Sequence, residues 1–294
     1  MSVTAHHLPD IRPQTAPRRR GLASLVRQHP SVIVGGGILV LLTLVAILAP
    51  ILGTVDPTAV APARRLKPPS AEFWFGTDAL GRDLYSRVVY GARVSLTVGL
   101  LTAMIASLIG LAIGLVSGFV RWSDGIIMRV MDGVMSIPPV LLAIALMALT
   151  RASIGNVIMA ITIAEIPRVA RLVRSVVLSL REQPFVDAAI ASGTTTPGII
   201  LRHVLPNTLP SLTVQATYIC ASAMVTEAIL SFIGAGTPSA IPSWGNIIAD
   251  GRTIWQIKPA LIFVPAVFLS ATVLAVNMVG DGLRDALDPR RRSP

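Results

Sequence analysis

Long apolar runs constrain the fold of this chain more than any other feature of its sequence. The run Ser31–Gly53 contains no charged residue and is about long enough to cross the hydrocarbon core of a bilayer. It is also longer than the apolar part of a signal peptide, so an uncleaved span is favoured. Five more runs of similar character follow: Ser95–Phe119, Met131–Leu149, Ile154–Leu180, Leu209–Ile233 and Pro259–Gly280. The sequence therefore predicts an all-α membrane protein with six transmembrane helices.

The distribution of arginine and lysine predicts the orientation of these spans. Six spans place both termini on one side, and with the N-terminus inside, 16 of the 25 basic residues fall in cytoplasmic segments, as the positive-inside rule requires. The predicted organisation begins with a cytoplasmic tail (1–30), a first transmembrane helix (31–53) and an external loop with a short amphipathic helix (54–94). A core of five transmembrane helices follows (95–280), which includes a cytoplasmic segment (184–207) and an external loop (234–258). The chain ends in a cytoplasmic C-terminal tail (281–294).

Composition and charge exclude several classes of function. The net charge is +10, but the arginines lie between and beside the apolar runs and form no basic face of the kind that binds nucleic acid. The single cysteine, Cys220, provides neither an intrachain disulfide nor a cysteine-based metal site. Neither Lys67 nor Lys258 follows a glycine, so the Gly-Lys-Ser/Thr motif of an ATP-binding P-loop is absent.

The segment Pro184–Asn207 predicts two short helices joined at an angle. Pro184 suits a first helical position, and Gly193 supplies a C-terminal stop. A second helix opens with Pro197 and is expected to end before Pro206. Each helix has an apolar side: Phe185, Ala188, Ala189 and Ser192 on the first, and Ile199, Ile200 and Val204 on the second. Such a surface either receives a partner or folds back on the spans or the lipid interface, and the residues alone favour neither.

The letters "DAAIASG…HVLPN" in this segment resemble the cytoplasmic signature loop of binding-protein-dependent ABC importer permeases. The matching positions are Asp187, Ala188, Ala189, Gly193, Leu205 and Pro206, with aspartate in place of the usual glutamate. The resemblance implies that this loop is a coupling helix that docks in a groove of an ATPase subunit. His203 has no catalytic or metal-binding partner set nearby in the sequence, and it is expected to contribute to the same contact.

A second motif, "FGTDALGRDLYSRVVYGARVSLTVGL" (Phe75–Leu100), resembles the signature of the C-type permease of the dipeptide, oligopeptide and nickel import group. Further blocks at Arg129–Ile144, Ala170–Glu182, Glu227–Ile248 and Gly280–Arg290 agree in order. Glu165 departs from the family pattern and receives no family role. The resemblance implies the type I importer permease fold in the bacterial inner membrane and four kinds of partner: a second permease subunit in a heterodimer, two ATPase subunits that carry ATP and Mg²⁺, an external solute-binding protein and the lipid. It implies no cofactor on this chain.

The external segments contain the remaining candidate site residues. Asp78 and Asp83 lack the further ligands of a metal site, so capping or pairing with Arg82 and Arg87 is expected. Trp244 is expected as an anchor at the membrane interface. The resemblance places these segments near the external gate and the binding-protein contact, with these candidates: Gly76, Asp78, Gly81, Arg82, Asp83, Arg87, Ser243, Trp244 and Gly245.

Three residues are candidates for the translocation path. Pro138 and Pro139 predict a kink that is either a hinge or a fixed bend. Glu227 either lines a polar path or caps the loop that follows it. The function predicted by the resemblance is import of dipeptides or oligopeptides by alternating access. Nickel chelates, glutathione or another small solute are alternatives, as is a proton-coupled secondary transporter that uses Glu165 or Glu227. A membrane-embedded enzyme would need a nucleophile and base, or a metal set, that the sequence lacks.

Overall fold

The computed structural model describes residues 30–287, and the regular elements in this range are helices. Their bounds are α1 (Pro30–Ile47), α2 (Leu84–Phe119), α3 (Arg121–Met135), α4 (Pro139–Ala148), α5 (Ile154–Arg181), α6 (Pro184–Ala191), α7 (Thr196–Ile199), α8 (Leu205–Phe232), α9 (Trp244–Gly251) and α10 (Ala260–Leu287). The all-α prediction is confirmed. Residues 1–29 of the N-terminal tail and 288–294 of the C-terminal tail lie outside the described range.

Within the described range, four helical stretches are long and apolar enough to cross a membrane: α1, α2, the continuous stretch of α7 and α8, and α10. The third predicted span, Met131–Leu149, is not a single helix, because the chain bends by 84° between α3 and α4. Pro138 and Pro139 cause the break, since neither has a backbone N–H to continue the helix. If the bent pair is counted as one span, the apolar spans number five.

Helix α2 is longer than the predicted second span. It starts at Leu84 and runs 36 residues without a break, so the short amphipathic helix expected before Ser95 is its first part. Asp83 caps its start by accepting a hydrogen bond from the Ser86 N–H at 2.8 Å. The predicted boundary is absent because the stretch from Leu84 to Ser95 contains no proline and its one glycine, Gly91, packs closely against Trp244.

Helices α2 and α5 pack closely against each other through small residues. Glycines of α2, spaced four residues apart, face valines of α5 at the same spacing, and a Cβ added at each glycine would lie 2.4–2.7 Å from the valine Cβ. Glycine lets the two backbones approach at this distance. The pairs are Gly110 with Val169, Gly114 with Val173 and Gly118 with Val177. Residue numbers rise together along both helices, so α2 and α5 run parallel.

The second helix of the cytoplasmic segment does not stop before Pro206, which is a correction to the sequence analysis. The chain continues from α7 through a π-helical turn, Ile200–Val204, directly into α8. In this turn the Leu205 N–H donates to the Ile200 carbonyl, five residues back. The wider π turn precedes Pro206 and relieves the clash that its ring would make with a preceding α-helical turn, where proline also has no N–H to donate.

Candidate functional site

The end of helix α6 is fixed by Gly193, as the sequence predicts. The Gly193 N–H donates to the Ile190 carbonyl at 2.9 Å, and the Thr194 N–H donates to the Ala189 carbonyl at 3.1 Å. These two bonds are the Schellman motif, which requires a left-handed residue at this position. Gly193 has φ +75°. The motif turns the chain sharply and sets α6 at an angle to the helix that follows.

Helix α6 has an inner and an outer side. Val186 and Ala189 are buried at 1% and 8% exposure and join the same apolar cluster as residues of α5 and α8. Asp187 and Ala188 are exposed on the outer side. The sequence placed Ala188 and Ala189 on the same apolar side of this helix, but the structure exposes Ala188 and buries Ala189. The inner side is centred on Val186, which that prediction did not include.

Exposed apolar side chains remain on the outer surface of this segment. Phe185, Ile190 and Leu201 are exposed at 41%, 56% and 61%. His203 is half-buried, and its ring centroid lies 6.4 Å from that of Phe185. Pro206 is exposed in the first turn of α8, and Leu205 beside it is half-buried. Folding back on the bundle covers only the inner side, so a bent apolar surface stays available to a partner.

At the opposite end of the bundle, two aspartates and two arginines form a closed ionic network. Asp78 Oδ2 lies 2.6 Å from Arg82 Nε and 2.7 Å from Arg87 Nη1. Asp250 Oδ2 lies 2.8 Å from Arg82 Nη2 and 2.9 Å from Arg87 Nη2. Asp78 and Arg87 are both 1% exposed. The pairing of Asp78 with both arginines is confirmed, and Asp250 extends the network from the turn before α2 to helix α9.

Two glycines shape the turn that carries this network. Gly76 and Gly81 have φ +78° and +77°, a region that favours glycine. A Cβ at Gly81 would lie 1.9 Å from the Ala61 carbonyl oxygen, and one at Gly76 would lie 2.5 Å from the Lys67 oxygen. Close approach of the preceding loop therefore requires glycine at both positions. Asp83, the other carboxylate of this turn, caps α2.

Trp244 is not an anchor at the membrane interface, which corrects the sequence prediction. Its side chain is fully buried, and its indole Nε1–H donates to the Val88 carbonyl at 3.0 Å. Gly91 of α2 leaves room for the ring, since a Cβ there would lie 3.2 Å from the indole. Gly245 packs closely on α8 as well, since a Cβ added there would lie 2.6 Å from the Ala228 Cα. Both residues lock α9 between α2 and α8.

Glu227 braces the loop between α8 and α9. Its side chain is fully buried. Its Oε1 atom accepts hydrogen bonds from Ser231 and Ser243 at 2.8 Å each and from Thr237 at 3.3 Å. Ser243 in turn caps α9 by accepting from the Asn246 N–H at 3.1 Å. The sequence left two roles open for Glu227, lining a polar path or capping the loop that follows it. In this structure its hydrogen bonds are those of a residue that caps the loop.

Asp250 is the member of the ionic network that the sequence analysis missed. It lies 168 positions after its partner Arg82, so no local spacing connects the two. The one signal in the sequence is a carboxylate within the otherwise uncharged helix α9. Asp78, four and nine positions before its two arginines, was accessible to reasoning from local sequence.

Comparison with known proteins agrees with this geometry. The family described as binding-protein-dependent transport system inner membrane component matches residues 88–293, and the N-terminal TM domain of oligopeptide transport permease C matches residues 26–69. A protein of Sinorhizobium fredii named probable peptide ABC transporter permease protein y4tQ is 57% identical over 268 residues, which are 91% of this chain and 92% of that protein.

Two further relatives and one solved structure extend the comparison. The dipeptide transport system permease protein DppC of Alkalihalophilus pseudofirmus is 42% identical, covering 91% of this chain and 88% of that protein. The glutathione transport system permease protein GsiD of Salmonella typhimurium is 41% identical, covering 97% and 95%. A chain of the inward-facing MetNI methionine ABC transporter superposes with a TM-score of 0.58 at 22% identity, covering 69% of this chain and 97% of that chain, and shares the fold. The chain therefore belongs to the family of binding-protein-dependent transport system inner membrane components.

Proposed function

We propose that this chain is the C-type permease of a peptide importer that works by alternating access. As a permease of its family it is a membrane subunit of an ABC importer and not an ATPase, and no Gly-Lys-Ser/Thr motif occurs in its sequence. ATP and Mg²⁺ would bind to two separate ATPase subunits. A second permease chain and an external solute-binding protein would complete the transporter.

Peptides are the proposed solutes because of the relatives. Two of them are named for peptide or dipeptide transport, and the third is named for glutathione, which is itself a small peptide. Each of the three aligns with at least 88% of its own length. Binding-protein selectivity would then decide which peptide is delivered to this chain.

The exposed apolar surface of α6 and the adjoining turn carries the proposal for coupling. Its inner side is packed on the bundle, so a push on the outer side would be transmitted to α5 and α8. Phe185, Ile190 and Leu201 present the apolar area that an ATPase groove would bury. Closure of the ATPases on ATP would move this segment, and the two conformations of the spans would differ in their contacts with it.

Helix directions support six membrane crossings. Since α2 and α5 run parallel, the chain between them must return across the same thickness, although it is bent at Pro138. Asp124 of α3 pairs with Arg174 at 2.6 Å, and Asp132 pairs with Arg171. Residue numbers rise along α3 as they fall along α5, so α3 runs in the opposite sense to α5. The bent pair α3 and α4 would thus be the third crossing and α5 the fourth.

Contacts between the first and last long helices support termini on the same side. Gly282, near the end of α10, packs on Val32 in the first turn of α1. Arg93, in the first part of α2, donates to the carbonyl of Ile47 at the end of α1. The start of α1, the end of α2 and the end of α10 are therefore on one side. Arg181 joins the end of α5 to Gly118 of α2 on that side, next to Pro184–Asn207, the proposed coupling segment.

The proposal is tested by purifying this chain from its native host in mild detergent and identifying the proteins that accompany it. Ile190→Asp places a charge on the outer side of α6 at a residue that is 56% exposed. Val60→Asp is the matched control, because Val60 is 57% exposed on the loop at the other end of the bundle. We expect an ATPase and a second permease with the wild type and with Val60→Asp, and loss of the ATPase and of peptide uptake with Ile190→Asp.

Equal recovery of the ATPase with both variants would overturn the docking role of α6. Purification of the wild-type chain alone, together with uptake by that chain in vesicles and sensitivity to proton uncouplers, would instead favour the secondary transporter. Uptake of a nickel chelate or another solute in place of peptides by the assembled complex would change the substrate and leave the importer assignment intact.

A further inference from the structure

A charged pair lies midway along the helix bundle, away from both surfaces described above. Glu165 of α5 is 3% exposed, and its Oε2 atom lies 2.9 Å from Arg168 Nη1. The guanidinium carbon of Arg168 lies 5.5 Å from the centre of the Tyr218 ring, a cation–π distance. Tyr218 is near the middle of the 28 residues of α8, with roughly 20 Å of helix on each side. The cluster is therefore near mid-membrane depth.

Helix α8 presents a polar stripe on the face that carries Tyr218. Ser211, Gln215, Tyr218 and Ser222 follow one another at intervals of four, three and four residues, which places them on one side of an α-helix over a length of about 17 Å. A charged pair on α5 thus faces a line of hydroxyl and amide groups on a membrane helix.

This face is unsuited to lipid. The side chain of Arg168 is 36% exposed and Tyr218 is 53% exposed, and ionisable groups inside membranes face protein or water-filled cavities rather than lipid tails. The apolar helix α10 gives the contrast. Its exposed side chains include Phe263 and Val267, both 64% exposed, as expected of a lipid-facing helix.

Arg168 has N–H donors beyond the one that it uses for Glu165. A guanidinium has five N–H donors, and within residues 30–287 Arg168 uses Nη1 for Glu165. Its remaining donors form the planar fork that binds carboxylates in a bidentate manner. Glu165 and the Tyr218 ring hold the fork in place from two sides. A peptide carries a carboxylate at its C-terminus, which such a fork recognises.

We propose that the polar face formed by Glu165, Arg168, Tyr218 and Ser222 lines the aqueous translocation path and that Arg168 binds the carboxylate of the passing peptide. This inference rests on the proposed importer function and adds the residues that meet the solute. Glu165 is a positioning residue that orients the guanidinium and balances its charge. Tyr218 covers the guanidinium with its ring and narrows the path.

The first arm of the test measures access of water to this face. Cys220 is the single cysteine of the chain and is 6% exposed, so Cys220→Ser gives a background free of thiols. In that background, Tyr218→Cys is compared with Val267→Cys in the assembled transporter in membranes. Both are treated with a charged, membrane-impermeant methanethiosulfonate, and the mass of the chain is measured. We expect modification of Tyr218→Cys, slowed by peptide, and none of Val267→Cys.

The second arm measures the contribution of Arg168. Replacing it alone would leave the buried Glu165 without its partner, so the double variant Glu165→Gln with Arg168→Gln is used. The control is Arg171→Gln, which removes an arginine of the same helix from an exposed pair with Asp132. We expect the double variant to assemble and hydrolyse ATP while its rate of peptide uptake falls by about tenfold or more, the effect of losing a charged hydrogen bond. The control should stay within about threefold of the wild type.

The outcomes separate this inference from the importer function. Uptake by the Cys220→Ser background, together with an unreactive Tyr218→Cys in both nucleotide-free and ATP-bound states, overturns the path assignment and leaves the importer intact. Equal uptake by the double variant and the wild type overturns the role of Arg168. Failure of the wild type with its partners to move any peptide, while another solute is taken up, overturns the peptide substrate on which this inference rests, and failure to take up any solute overturns the importer function itself, whatever the labelling shows.

Discussion

At the scale of single residues, Asp78 is the centre of the end of the bundle opposite to α6. It is almost fully buried, and one of its carboxylate oxygens faces two arginines. The other oxygen accepts from the backbone N–H groups of Leu80 and Arg82 at 2.8 and 2.9 Å. One side chain thus shapes the turn, compensates two buried charges and, through them, holds Asp250 of α9.

Asp78→Ala is expected to destabilise the protein severely. It removes one of two carboxylates that compensate two buried guanidinium groups, and breaking a buried ion pair typically costs about 3–5 kcal/mol. Glu72→Gln is the control, because Glu72 pairs with Arg64 at 3.6 Å in the same loop with both side chains more than half exposed. Exposed pairs contribute about 0–1 kcal/mol. Thermal unfolding in mild detergent measures both, and equal midpoints would contradict the structural role of the network.

Gly81→Ala and Gly53→Ala separate backbone conformation from close packing. Both glycines have positive φ, +77° and +68°, so either substitution costs roughly 1–2 kcal/mol for the left-handed conformation. An added Cβ would lie 1.9 Å from the Ala61 oxygen at Gly81, but it would meet no described atom within 4 Å at Gly53. We expect a clearly lower unfolding midpoint for Gly81→Ala. Equal unfolding midpoints for the two variants would show that the loop before α2 is not packed as described.

The residues that sequence reasoning located correctly are those whose partners are local. Asp78 and its arginines lie within nine positions, and the stop at Gly193 depends on bonds that span five residues. Asp250 and Trp244 depend on contacts with residues about 150 or more positions away. An indole in a loop rich in glycine and proline suggests an interface anchor, and only the approach of α2 at Gly91 turns it into a core residue.

At the scale of helices, the interlocked glycines and valines of α2 and α5 hold the centre of the fold. The three contacts repeat along both helices, so a change at the middle one strains both neighbours. Gly114 is that middle residue, and a Cβ there would lie 2.5 Å from the Val173 Cβ. Close backbone approach at small residues stabilises helix pairs in membranes, where burial of apolar area contributes little.

Gly114→Ala is therefore expected to destabilise the bundle by about 1–3 kcal/mol, the usual cost of overpacking, despite the better helix propensity of alanine. Val173→Ala in the same chain should recover part of the loss, because it removes the atoms that the new methyl group meets. Gly36→Ala in α1 is the control, since an added Cβ there would meet no described atom within 4 Å. A double-mutant cycle on unfolding midpoints measures the coupling, and independent effects of the two substitutions would contradict the interlock.

Helix bounds were predictable where a local signal ends the helix. The break at Pro138 and Pro139 and the end of α6 carry such signals. The run from α7 into α8 does not, because Pro206 is a stop signal that the π turn overrides. At Ser95 the sequence predicted a boundary that the structure lacks. The part of α2 before Ser95 carries charges and the part after it is apolar, so their compositions suggest two elements, but no residue between them interrupts the helix.

At the scale of the whole molecule, the two candidate surfaces lie at opposite ends of the bundle. The coupling segment follows the end of α5, while the ionic network joins the start of α2 to α9, and α2 and α5 run parallel. A movement received at α6 would have to pass through the spans to reach the ionic network at the opposite end. The closely packed α2–α5 pair provides one connection. Helix α8 provides another, since it starts at the coupling segment and carries Glu227, which braces the loop after α8, near its other end.

The direction of the bundle in the membrane is the last prediction, and it follows from charge and packing together. Contacts place the start of α1 and the end of α10 on the side of the coupling segment, and that side holds the larger share of arginines, so it should be cytoplasmic.

A fluorescent protein fused after Pro294 should therefore fluoresce. Alkaline phosphatase fused at the same place should be inactive, and the same enzyme inserted in the loop at Val60 should be active. Each fusion serves as the control for the other, because a chain that failed to insert would leave both phosphatase fusions inactive. The reverse pattern, active after Pro294 and inactive at Val60, would invert the orientation, and an ATPase could then no longer reach α6.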